Sequence, residues 1–115
     1  MSKLIYKISP AELWREAEQK GEFGGAPVDH ASGFIHFSTA SQVKETAEKH
    51  FAGQDDLLLV AVDEDKLGSS LKYEPSRGGD LFPHLYAPLP MRAVRWVSPL
   101  PLGPDGHHQF PPLPS

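Results

Sequence analysis

An α+β fold is predicted for this 115-residue chain from three observations. Two helix signatures lie in the N-terminal half, short strand-like runs fill most of the remainder, and no internal repeat is visible. Residues 1–98 read as one α+β domain and residues 99–115 as a Pro-rich C-terminal tail, "PLPLGPDGHHQFPPLPS" after Ser98, which is aperiodic and expected to run over the surface or to be mobile.

The first strand is "LIYKI", Leu4 to Ile8. Ile5 and Lys7 fall on one side of it and Tyr6 on the other. In "SPAELWREAEQKG" Ser9 is placed to cap a helix, Pro10 suits the first helical position and Glu12 completes a reciprocal capping box. Leu13, Trp14 and Ala17 form its apolar stripe, and Gly21 is its terminator. The stretch "EFGGAPVDHASG" has no periodicity and reads as a long loop, a length that usually marks a binding loop or a disordered segment. A strand, "GFIHFSTA", follows. A second capping box at Thr39 and Gln42 then opens a helix with Val43, Ala47 and Phe51 on one face, ended by Gly53.

"LLLVAVD" is a continuous apolar run, the mark of a strand covered on both faces. "LKYE" alternates, with Leu71 and Tyr73 facing one way and Lys72 and Glu74 the other. In "LFPHLY" Pro83 implies an edge strand or an irregular segment, because it lacks a ladder N–H. "AVRWV", residues 93 to 97, is the last strand.

Composition narrows the function. The formal net charge of −4 argues against a surface built to grip nucleic acid, while leaving room for one phosphorylated small molecule in a local pocket. With no cysteine, disulfides, thiolate metal sites and cysteine nucleophiles are excluded. The start "MSKLIYKISP" lacks a secretory signal, and no apolar run is long enough to span a bilayer, so a soluble cytoplasmic protein is expected. No phosphate-binding glycine loop, dinucleotide fingerprint or nucleophile-elbow serine is present.

Two segments carry candidate chemistry. In "GFIHFSTA" Ile35 and Phe37 point toward the core, which turns Phe34, His36 and Ser38 the other way. One ring, one imidazole and one hydroxyl on a face suit a cleft; the plainer alternative is a half-buried histidine satisfied by a backbone carbonyl. In "YEPSRGGDLFPHLY" Glu74 ends a strand, Arg77 sits beside Gly78 and Gly79 where its guanidinium can clamp an anion, and His84 and Tyr86 share a face. An ordinary polar turn is the alternative there. Asp29, His30, His36 and His84 are the donors a metal site would draw on, though no pair has compact ligand spacing.

On "DHASGFIHFSTASQVKETAEKHFAGQDDLLLVAVD" and "YEPSRGGDLFPHLY", residues 4 to about 98 resemble a small bacterial family known as domain of unknown function 952. That resemblance implies an architecture similar to the ADP-ribosyltransferase superfamily, a split pair of antiparallel sheets with NAD in the cleft, and the order of elements also resembles its RNA 2′-phosphotransferase branch. It implies His36 and Ser38 on the nicotinamide or ribose side, Glu74 against a ribose hydroxyl and a developing oxocarbenium charge, and Arg77 on a pyrophosphate. Phe34, His84 and Tyr86 would complete the ligand site. The first strand offers Lys7 where such transferases present Arg or His, and the chain holds four arginines in all.

Three readings follow: an ADP-ribosyltransferase-like enzyme acting on NAD or a related nucleotide, a non-catalytic nucleotide or metabolite binding module, and a histidine-based metal-dependent hydrolase. No cofactor beyond NAD as a substrate is implied.

Overall fold

A computed structural model describes residues 3–76 and 78–115. Ordered along the chain are β1 (Leu4–Pro10), α1 (Ala11–Lys20), β2 (Glu22–Phe23), α2 (Pro27–Ser32), β3 (Ile35–His36), β4 (Ser38–Thr39), α3 (Val43–His50), β5 (Leu57–Asp63), β6 (Leu71–Ser76), β7 (Asp80–Leu85), β8 (Leu89–Pro90) and β9 (Val94–Pro99). The large sheet runs β4-β1-β5-β9, a smaller one β3-β7-β6, and β2 pairs β8. Every pairing is antiparallel. The fold is α+β as expected, with several antiparallel sheets.

β1 and β5 hold the centre of the large sheet and are covered on both faces. Ile5, Val60 and Val62 pack with Trp14 and Ala17 of α1 and with Ile35, Phe37 and Leu85 from the small-sheet side. Tyr6, Ile8, Leu59 and Ala61 pack on the opposite face with Val43 and Ala47 of α3. The tail lies against this second cluster: Leu100 is buried, Phe110 and Leu113 pack on it, and the Tyr6 hydroxyl donates to the Pro114 carbonyl.

Helix α1 ends as expected, Gly21 taking φ 86° and donating to the Ala17 carbonyl at 2.9 Å. Its start differs. Ser9 is the penultimate residue of β1, its hydroxyl donates to the Pro10 carbonyl, and no side chain caps the helix. In α3 half of the expected box forms, Gln42 Oε1 accepting from the Thr39 N–H at 3.0 Å; the helix itself begins at Val43.

Three expectations are corrected. Among the described residues the N-terminal half holds three helices, not two, because α2 forms inside the stretch read as a loop. Pro27 opens it, Asp29 Oδ2 accepts the Ala26 N–H at 2.8 Å, and Gly33 closes it in the left-handed region. The strand "GFIHFST" is two strands: β3 pairs β7 through Ile35 and His36, and β4 pairs β1 through Ser38 and Thr39. Finally, β7 is central in its sheet, not an edge. The Pro83 carbonyl accepts from the Phe37 N–H at 3.0 Å. In an antiparallel strand the N–H and C=O of one residue face the same neighbour, so the missing proline N–H faces the point where β3 gives out.

Among the described residues no helix is long and apolar enough to cross a membrane.

Candidate functional site

The crossing from β3 to β4 leaves a gap between the two sheets. β4 covers β1 only at Ile5 and Tyr6, so the next residues along that edge, Lys7 and Ile8, border a chamber of about 380 Å³. Ser38 and Thr46 line it on the α3 side, Phe37 and Phe82 supply apolar wall, and Ser76, His36 and His84 complete its small-sheet side.

Asp29 organises one end. It is 2% exposed, yet five hydrogen bonds reach its carboxylate. Lys7 Nζ donates to Oδ1 and Oδ2 at 3.0 and 2.9 Å, the Ala26 N–H to Oδ2 at 2.8 Å, and the His36 N–H and Nδ1 to Oδ1 at 3.1 and 2.7 Å. Burial alone would raise this carboxyl, but the His36 hydrogen bond and then the Lys7 charge hold it well below the usual carboxylate range. Lys7 is pulled the other way: desolvation lowers its ammonium from the ordinary value, and Asp29 opposes that shift.

Because an ionised carboxylate only accepts, His36 Nδ1 must carry a hydrogen. The lone pair or second proton then sits on Nε2, at the ring edge left for the chamber.

A second pair repeats the arrangement. His84 Nδ1 lies 2.8 Å from Glu74 Oε1, and the Tyr86 hydroxyl donates to the same oxygen at 2.6 Å. Hydrogen bonds from Tyr86 and then His84 lower the Glu74 carboxyl, so it too is ionised at neutral pH and fixes Nδ1–H on His84. The β3–β7 register sets His36 directly opposite His84, and their ring centroids are 5.6 Å apart. Phe34 stacks on His84 at 4.0 Å and contacts His36 at 4.7 Å and Tyr86 at 5.3 Å, bracing all three rings from one side.

Phe34, His36, Glu74, His84 and Tyr86 are therefore one contiguous group. Ser38 stands farther along the chamber, its hydroxyl 2.8 Å from that of Thr46. Arg77 lies outside the described residues. The pairing of Asp29 with both His36 and Lys7 is not visible in the sequence, where Lys7 stands only as a first-strand cation and Asp29 only as a metal-donor candidate. Among the described residues no group of three or more His, Asp or Glu is arranged to hold a metal ion. Asp29, the best-placed carboxylate, already has both oxygens engaged.

The crystal structure of protein CC0527 from Caulobacter crescentus is similar at a TM-score of 0.88 and 49% identity, covering 92% of this chain and 93% of that one. The solution NMR structure of CC0527 is similar at 0.83 and 49% identity, covering 92% and 91%. No curated protein matches. The family model described as "Protein of unknown function (DUF952)" matches residues 8–97, most of the chain. Because that match spans well over half of the sequence, this chain belongs to that family.

Proposed function

We propose that the chamber binds a nucleotide-like small molecule, with NAD or an ADP-ribose compound as the leading candidate, and that the protein acts on it as an ADP-ribosyltransferase-like enzyme. One observation carries the reading: a carboxylate-tethered imidazole, His36, opens onto a chamber of about 380 Å³ with both apolar walls and hydroxyls. That volume lies within the usual range for small-molecule sites. Phe37 and Phe82 suit a flat ring, and Ser38 and Ser76 suit ribose or phosphate oxygens. Arg77, next in sequence to Ser76, is assigned to the pyrophosphate. Glu74, ionised beside the chamber wall, is assigned to offset positive charge developing at the ribose carbon.

A non-catalytic binding module is the second reading, and one observation favours it. Glu74 Oε1 already serves His84 and Tyr86, and Lys7 is held by Asp29, so the groups expected to work on a ribose are committed to other protein groups.

Thermal-shift titration with NAD, ADP-ribose and a nucleoside monophosphate, on the wild type and on His36→Ala, tests the proposal. A ligand at ten times its dissociation constant adds about 1.4 kcal/mol, a rise on the order of 4 to 8 °C per kcal/mol for a domain of this size. A ligand-induced rise lost in the variant supports the chamber as the site. No rise with any of the three overturns the proposal.

A further inference from the structure

The second imidazole asks more of the substrate than transfer from NAD requires. When nicotinamide leaves a ribose it departs as a neutral ring and needs no proton, so one base for the acceptor is sufficient. Here two imidazoles line one chamber, on directly opposed residues of adjacent strands, each with Nδ1 fixed to its own ionised carboxylate. Both imidazoles line the chamber and neither carboxylate does, so Nε2 is the nitrogen each ring has left to offer a ligand there. Such a pair is equipped to take a proton from an attacking oxygen and give one to a departing oxygen.

We propose that His36 and His84 form a general base and general acid pair that hydrolyses a phosphodiester of a nucleotide bound in this chamber. The inference rests on the reading that a nucleotide occupies the chamber, though not on its being NAD. In the step, water attacks phosphorus as one Nε2 takes its proton, and a new P–O bond forms. The bond from phosphorus to a ribose oxygen breaks as the other imidazole's Nε2–H protonates that oxygen. Nothing is oxidised or reduced, and exchange with solvent restores the starting protonation. The hydroxyls of Ser38 and Ser76, which line the same chamber, are placed to meet non-bridging phosphoryl oxygens.

Other charged and titratable groups surround the pair. Asp29 of α2 contacts His36 and is itself paired with Lys7 of β1; Glu74 and Lys72 of β6 and Tyr86, just after β7, lie around His84; His50 of α3 also lines the chamber.

A nucleoside 2′,3′-cyclic monophosphate is the probe, with product followed by phosphorus NMR in the presence of a chelator. Expected are ring opening to a monophosphate, a bell-shaped pH dependence of kcat/KM, and a loss of about 100-fold or more in His36→Gln and in His84→Gln. His84 is buried, and should His84→Gln not fold, the wild-type pH profile decides alone: a profile with a single limb overturns the pair. Turnover abolished by the chelator, or retained in a folded His84→Gln, also overturns it. A nucleotide-induced thermal shift without product overturns this inference and leaves the binding proposal standing. Neither shift nor product overturns both.

Discussion

The Asp29–His36 and Glu74–His84 pairs have the same chemistry in opposite surroundings. Asp29 has a side chain 1% exposed while its histidine is 34% exposed; Glu74 is 35% exposed while its histidine is 5% exposed. Burying the carboxylate obliges the protein to surround it with donors, and Lys7, two backbone amides and His36 answer that need. Leaving Glu74 near water relaxes the demand, and two donors on one oxygen are enough. The same motif is thus a structural anchor at one end and an orienting device at the other.

Asp29→Asn should do the most damage. It leaves the Lys7 ammonium buried without its counter-charge, and breaking a buried pair in this way costs about 3–5 kcal/mol. Thermal denaturation should show the midpoint falling by on the order of 15 °C or more. A fall of a few degrees would mean that Asp29 is no more essential than Glu74, and the contrast would collapse.

Acid should reproduce that loss in the wild type. The native Asp29 carboxyl lies below its unfolded value, so in acid the native state binds fewer protons than the unfolded chain. Its stabilisation is complete above about pH 4, the ordinary carboxylate value, and drains away as pH falls below it. The gap in midpoint between wild type and Asp29→Asn should narrow over that same acid range. A gap that stays constant down to the point of acid unfolding would contradict the assignment.

Lys7→Met should cost less, about 1–3 kcal/mol, because His36 and two backbone amides still reach Asp29. Chemical denaturation of the two variants side by side orders them, and a Lys7→Met more damaging than Asp29→Asn would reverse the roles argued here. Smallest of all is Glu74→Gln, which should leave the midpoint within the scatter of replicate melts. Its effect belongs to His84, which is freed to adopt the other tautomer. The nitrogen chemical shifts of that ring should change in Glu74→Gln and stay as they are in Tyr86→Phe.

The faces of "GFIHFSTA" were legible in the sequence. Ile35 and Phe37 enter the core while Phe34 and His36 turn away, because alternation along an extended chain needs only local geometry. The buried run Leu57–Asp63 was legible for a similar reason, its composition alone implying two covered faces. What escaped was non-local or too short to be periodic. Lys7 and Asp29 are 22 residues apart, and nothing in either neighbourhood announces the other. Helix α2 spans six residues, fewer than two turns, so no apolar stripe can develop along it, and only Pro27 and Gly33 mark its ends. The central place of Pro83 depends on β3 stopping one residue short of it, which is a property of the partner strand.

The division of one extended segment between two sheets bears on cooperativity. Residues 35–36 hydrogen-bond into the small sheet and residues 38–39 into the large one, with Phe37 buried between them. Neither sheet can melt without stripping half of this segment from its ladder and withdrawing Phe37 from the shared core. The small sheet has no core of its own: Ile35, Phe37 and Leu85 are buried in the same cluster as Ile5, Val60 and Val62 of the large sheet. The slowest-exchanging amides of β5 and β7 should therefore open together in a single global event, rather than as two separately unfolding units.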